Sequence, residues 1–294
     1  MLDPRGEALH TPLLQWYAAA ARDLPWRRPG CSPWGVLVSE IMLQQTPVAR
    51  VLPIWTRWMT LWPTPSALAG ESPGEAVREW GRLGYPRRAL RLHAAATVLR
   101  DEHGDEVPSD AATLRTLPGI GDYTAAAVAA FAFGQRATVV DTNVRRVQAR
   151  AVTGVALPAP SMTRTEVELA TSLLPDSDAD AATWNVAVME LGALVCTARS
   201  PRCEECPVAA LCSWRLAGSP PHAGPPRRGQ AWEGTDRQCR GRMLQALREA
   251  DGPLTGAALQ ALWPHQAQQG RCLDTLVHDG LVEPLGGDRF QLPS

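Results

Sequence analysis

Four cysteines fall within seventeen residues: Cys196, Cys203, Cys206 and Cys212, spaced C-x6-C-x2-C-x5-C in the run CTARSPRCEECPVAALC. Four thiolates this close in sequence can close around one compact metal centre, either a structural zinc or an iron–sulfur cluster. Thiolate ligands alone do not choose between the two. Zinc sites commonly pair two C-x2-C knuckles, and this run has a single one. Buried or disulfide-bonded cysteines are the plainer reading, which the clustering disfavours; Cys31, Cys239 and Cys272 are scattered and read as structural. Asp141 opens the run DTNVRR, where it is a good helix N-cap and could equally stabilise a developing positive charge. All 29 basic residues are arginine, so no side-chain amine can form a Schiff base.

The elements that must position these residues are helical. From Trp34 to about Thr138, apolar residues recur at three- and four-residue intervals, punctuated by Pro63, Pro65, Pro73, Gly84, Pro86 and Pro108. The pattern predicts helices over 34–45, 47–60, 74–82, 86–103, 110–116, 123–132, 142–153, 163–173 and about 181–195, with almost no strand signal before residue 280. LPGIG at 117–121 is a tight turn between two helices, whose glycines let a phosphate approach backbone N–H groups at the next helix N-terminus. The Pro- and Gly-rich stretch 218–235 reads as a linker. Beyond it, 236–294 predicts three helices and a short hairpin, a winged-helix-like module or a plain helical cap. A length of 294 residues admits two or three small domains, and a net charge of −1 advertises no nucleic-acid binding in bulk. The sequence shows neither a signal peptide nor an 18-residue apolar stretch, and clustered thiolates suit a reducing cytoplasm.

Taken together, LPWR at 24–27, SEIMLQQT at 39–46, LGY at 83–85, LPGIGDYTA at 117–125, VDTNVRRV at 140–147 and MELGALVC at 189–196 resemble the MutY-type adenine DNA glycosylases. These belong to the helix-hairpin-helix, endonuclease III-like superfamily, and the cysteine interval resembles its cluster signature. The resemblance covers roughly residues 10–215. It implies an all-α, two-lobed glycosylase domain over 1–217, with a six-helix lobe at about 30–138 and a cluster lobe from 1–29 plus 139–217. It also implies one 4Fe–4S cluster on the four cysteines. The expected partner is double-stranded DNA with adenine mispaired with 8-oxoguanine or G, acted on by a cytoplasmic monomer. By resemblance Glu40 is the general acid, Asp141 stabilises the sugar cation, and Tyr123 and Asn143 orient them. Gln45 and Tyr85 match the wedge positions that fill the gap left by a flipped base. Gly119, Gly121, Arg88, Arg199 and Arg202 are the expected DNA contacts, and Arg22, Trp26 and Leu43 the expected adenine pocket.

The chain departs from that pattern in places. Endonuclease III-type relatives, which remove oxidised pyrimidines, carry a lysine where this chain has Tyr123. Without it strand-cleaving lyase chemistry is not expected. Val186 stands where many relatives contact adenine through Gln or Glu, and Thr142 replaces a common Gly. The last 60 or so residues lack the Nudix-like pattern many members use to recognise 8-oxoguanine. The competing readings are an oxidised-pyrimidine glycosylase of the endonuclease III type and a non-catalytic iron–sulfur DNA-binding protein.

Overall fold

The computed structural model describes residues 4–224 and 232–294; residues 225–231 of the expected linker lie outside the described residues. In chain order the helices are α1 (Pro4–Ala20), α2 (Pro33–Leu43), α3 (Val48–Leu61), α4 (Pro65–Ala69), α5 (Pro73–Trp80), α6 (Arg87–Glu102), α7 (Ala111–Leu114) and α8 (Asp122–Phe133). They continue as α9 (Thr142–Gln148), α10 (Arg164–Ser172), α11 (Asp178–Leu194), α12 (Ser213–Leu216), α13 (Asp236–Glu249), α14 (Gly256–Gln260) and α15 (Gln266–His278). Strands β1 (Leu254–Thr255), β2 (Glu283–Leu285) and β3 (Arg289–Gln291) make one small sheet. Among the described residues no helix is long and apolar enough to cross a membrane.

The chain forms two compact units. One comprises Met1–Leu37, Pro108–Thr116 and Ile120–Pro225; the other comprises Val38–Val107, Leu117–Gly119 and Pro226–Ser294. Two boundaries differ from the sequence reading. Residues 110–138, expected in the six-helix lobe, lie mostly with the cysteine-bearing unit. The cause is α8, whose Ala127 and Ala130 pack with Val139 against Ala182 and Met189 of α11. Alanine side chains permit that close approach. The C-terminal module, expected to stand apart, belongs to the unit of α3–α6.

The core of the cysteine-bearing unit follows from helical spacing. Leu9 and Leu13, one turn apart on α1, pack with Val144 and Val147 of α9, Leu173 after α10, and Trp184, Val188 and Leu191 of α11. Ser177 caps α11 by accepting from Asp180 N at 3.1 Å, and Thr163 with Glu166 forms a capping box on α10. Helix α9 widens into a π-helical turn, Ala149–Thr153, before Gly154 ends it at φ 75°. In the other unit Trp58 stands edge-on to Trp62 and Trp80, at ring separations of 4.7 and 5.6 Å.

The C-terminal module packs α13 on α15 through buried Cys239, Met243, Cys272 and Leu276. Its sheet has the order β1-β3-β2, all antiparallel, with Leu254 opposite Phe290 and Glu283 opposite Gln291. Strand β1 is a correction to the helix-then-hairpin reading: two residues are too few to show an alternation in sequence. The result is winged-helix-like.

Leu13 is almost fully buried between α1 and α11. We expect Leu13→Ala to lower stability by about 3 kcal/mol through lost burial and a residual cavity. A shift of the urea midpoint without a change of slope would report it.

Candidate active site and metal centre

Cys196, Cys203, Cys206 and Cys212 line a single cavity, closed by Arg150, Val195, Ala209 and Trp214. None of the seven cysteines is in a disulfide. Among the described residues no three His, Cys, Asp or Glu side chains converge as ligands of a single ion. Four thiols on one cavity are a donor set that an iron–sulfur cluster accepts. Burial pushes the Cys206 thiol up to about 11, and burial together with Cys196, Cys212 and Glu204 raises Cys203. These thiols become thiolates only when a bound group offsets the charge. Arg150, buried in the π turn, donates from Nη1 to Cys196 Sγ at 3.3 Å and to the Thr197 carbonyl at 2.7 Å. Its guanidinium lies 4.9 Å from the Trp214 ring centre. In the loop over the cavity, Arg199 is exposed, while Arg202 donates to the Leu194 carbonyl at 2.6 Å and pairs with Glu205.

Asp141 is the N-cap of α9. Its Oδ1 accepts from the backbone N–H of Asn143 (2.8 Å) and Val144 (2.7 Å), and its Oδ2 from Asn143 Nδ2 (2.8 Å). Burial pushes the Asp141 carboxyl up, while these hydrogen bonds and Arg146 pull it back. Asn143 is held in turn: Arg146 donates to Asn143 Oδ1 at 2.7 Å, to the Gly192 carbonyl at 2.7 Å and to the Cys196 carbonyl at 2.7 Å. A continuous hydrogen-bonded path thus runs from the backbone of a cluster cysteine to Asp141. Gly192 makes room for it, because a Cβ there would lie 2.6 Å from that of Asn143. Arg146 and Arg150, four residues apart on one helical face, went unassigned in the sequence. Their spacing within VDTNVRRVQAR was the available signal.

The turn before α8 has the expected conformations. Gly119 sits at φ 80° with its α-carbon pressed on Arg91, where a Cβ would come within 2.7 Å of the Arg91 Cβ. Gly121 is the exposed N-cap of α8, and no side chain caps that end. Tyr123, in the first turn of α8, packs against the Ala127–Ala130–Val139 cluster.

In the other unit Glu40 is buried on α2, and Leu43 is half-buried at its end. Gln45 and Tyr85 are both exposed and both left-handed, at φ 55° and 47°. Non-glycine residues held there carry backbone strain that surrounding structure must over-determine. Arg88 supplies much of that support, which corrects its reading as a DNA contact. It is buried, with Nη1 donating to the carbonyls of Ile41 (2.7 Å), Met42 (3.1 Å) and Gln44 (2.6 Å). Its Nη2 donates to Thr46 Oγ1 and the Gly84 carbonyl, both at 3.0 Å, and its guanidinium lies 5.5 Å from the Tyr85 ring centre. Burial pulls Arg88 down to about 10, so it stays charged at neutral pH. A guanidinium committed in this way cannot also serve a phosphate.

Arg22 is likewise engaged. Its Nε and Nη2 donate to Glu190 at 2.7 and 2.6 Å, and Arg27 Nη2 joins at 3.0 Å. Trp26 lies buried in the 3-10 turn Pro25–Arg27 between them. Glu190, fully buried on α11, was missed in the sequence because its partners are 163 and 168 residues away.

Comparison with known proteins fits this arrangement. Residues 38–171 match the HhH-GPD superfamily of base excision DNA repair proteins, and residues 196–212 match the iron–sulfur binding domain of endonuclease III. A thermostable thymine-DNA glycosylase has a TM-score of 0.64 at 28% identity, covering 72% of this chain and 97% of that one. An endonuclease III–DNA covalent intermediate has a TM-score of 0.61 at 25% identity, covering 74% and 99%. Fold and family matches therefore define a helix-hairpin-helix DNA glycosylase with one 4Fe–4S cluster in the cysteine-rich region 196–212, an enzyme that binds DNA. The adenine DNA glycosylase of Mycobacterium tuberculosis (strain CDC 1551 / Oshkosh) is 57% identical over 285 residues, spanning 96% of this chain and 93% of its own. The chain belongs to the adenine DNA glycosylase family.

Two predictions follow from the buried arginines and their partners. Burial alone would raise Glu190, but Arg22 and Arg27 hold it at about 2. A depressed carboxyl stabilises the fold above its unfolded value near 4.3 and loses that contribution as pH falls toward 2. Wild type should therefore lose on the order of 2 kcal/mol more than Glu190→Gln between those limits, allowing for solvent screening at the one-third exposed Arg22. Parallel acid titrations of the two would contradict it. Arg88→Met should cost about 3 kcal/mol in urea unfolding, because it orphans buried carbonyls. Unchanged stability with a weaker salt dependence of DNA binding would restore the phosphate reading.

Proposed function

We propose that this chain is a monofunctional glycosylase that hydrolyses the N-glycosidic bond of adenine mispaired with 8-oxoguanine or G. The observation that carries the proposal is the 57% identity, along nearly the whole chain, to a protein named adenine DNA glycosylase. Glu40 is buried in one unit and Asp141 caps α9 in the other, so the two carboxyls stand in distinct environments, the usual way to obtain one acid and one stabilising anion. The absence of lysine from the sequence argues against coupled strand cleavage.

In the proposed reaction Glu40 delivers a proton to adenine N7, since adenine leaves poorly as an anion. The bond from N9 to C1′ then breaks with its electron pair going to the base. Asp141, ionised and fixed by three hydrogen bonds, stabilises the cationic sugar. Water adds to C1′ and returns a proton to Glu40, so the acid is regenerated. Asn143 orients Asp141, and Tyr123 orients the neighbouring sugar-phosphate. Cys196, Cys203, Cys206 and Cys212 would hold the cluster, whose contribution would be structural, in the region that carries Arg199 and Arg202.

The target adenine must leave the duplex first. Tyr85 and Gln45 fill the gap and read the opposite base, while Gly119, Gly121 and the uncapped N-terminus of α8 grip backbone phosphate. By the same family resemblance Arg22, Trp26 and Leu43 are the residues assigned to adenine. The protein acts as a monomer in the cytoplasm.

Glu40→Gln and Asp141→Asn should each lower single-turnover excision by roughly 10²–10⁴-fold while leaving affinity for mispaired duplex intact. Normal turnover in either variant removes that residue from the mechanism.

A further inference from the structure

The C-terminal module reads poorly as a DNA-binding domain. Acidic residues outnumber basic ones over 236–294, and α15 carries one arginine, Arg271, against Asp274. Its contacts point elsewhere. Gly74 N, at the start of α5, donates to the Pro293 carbonyl at 2.8 Å, and any side chain at Gly74 would collide with that carbonyl. Arg248 of α13 donates to the Val77 carbonyl of α5 at 2.9 Å. Arg78 of α5 donates back to the carbonyls of Arg248 and Ala250. Asp279 pairs with Arg87 at 3.1 Å, in the first turn of α6, and Gly280 lies against Leu90.

These seams fall on the two helices that flank the 81–86 loop. That loop holds three left-handed residues, Gly81 (φ 52°), Gly84 (φ 83°) and Tyr85 (φ 47°). On its inner side Arg88, Thr46 and Trp80 hold the Gly84 and Leu83 carbonyls. A strained six-residue loop keeps one shape only if its ends cannot move, and the module fixes both ends.

We propose that the C-terminal module is a brace: by locking α5 to α6 it holds Tyr85 ready to enter the duplex, and so sets mispair recognition without reading DNA itself. This rests on the assignment of Tyr85 as the wedge. Opposite-base selection then depends on module residues that touch no base, with Arg248, Asp279 and Gly74 as positioning residues.

The test uses full-length, cluster-loaded protein carrying Gly74→Val or the milder Asp279→Ala. Amide hydrogen exchange at residues 81–85 should rise about tenfold or more while α9 and α11 stay as in wild type. Preference for A opposite 8-oxoguanine over matched duplex should fall about tenfold, with no further fall when either change is added to Tyr85→Ala. The brace is overturned if exchange rises at 248–250, showing an open seam, while 81–85 stays protected. Additive losses in the double variants would overturn it too. Faster exchange at 81–85, with Tyr85→Ala itself harmless to mispair preference, would uphold the brace and remove Tyr85 as the wedge.

Discussion

A carboxylate held at a helix N-terminus is the constraint on which the cysteine-bearing unit depends. Asp141 is half-buried, and burial favours its protonated form. Two backbone N–H groups and the Asn143 amide work against that, and the positive end of the α9 dipole adds to them. Asn143 supplies two of the three hydrogen bonds that favour the charge, one of them through its side-chain rotamer. Arg146 fixes that rotamer and is itself tied to the carbonyls of Gly192 and Cys196. A change at the cysteine cavity therefore has a physical route to the carboxylate through hydrogen bonds alone. The close approach of α11 that Gly192 permits is part of the same design.

The second unit solves a different problem by similar means. Gln45 and Tyr85, both exposed, occupy backbone conformations that cost energy. A single buried guanidinium, Arg88, joins the end of α2 to the 81–86 loop through carbonyl acceptors on both. Five donors in a rigid planar fork suit that task, and a lysine could not span it. Buried arginine recurs here as a structural device: Arg88, Arg145 and Arg150 each donate to backbone carbonyls, and Arg145 also pairs with Glu166.

Much of this was legible in the sequence. Long helices announced themselves through apolar spacing, and α2, α3, α5, α6, α8 and α11 lie within a few residues of their expected limits. The cysteines stood out by their spacing and Asp141 by its place before TNVRR, whereas Glu40 was singled out only through the family resemblance. Arg88 was misread because a basic run looks the same whether a member faces solvent or is buried. Glu190 with Arg22 was invisible because the pairing spans most of the chain. Helix α4 and strand β1 are too short to show a period, and the π turn differs from an α-helix only in hydrogen bonding. The module's docking was hidden because most of its contacts run through backbone carbonyls, which no residue type reports, and its ion pair, Arg87 with Asp279, spans 192 residues.

The central claim is that this is a monofunctional glycosylase for mispaired adenine. Single-turnover assays on labelled duplexes holding A opposite 8-oxoguanine, A opposite T, or thymine glycol, each developed with and without alkali, test it most directly. The account predicts strand breaks only after alkali and only at the mispaired adenine. Alkali-independent nicking at thymine glycol, or tight binding with no product on any duplex, would contradict it.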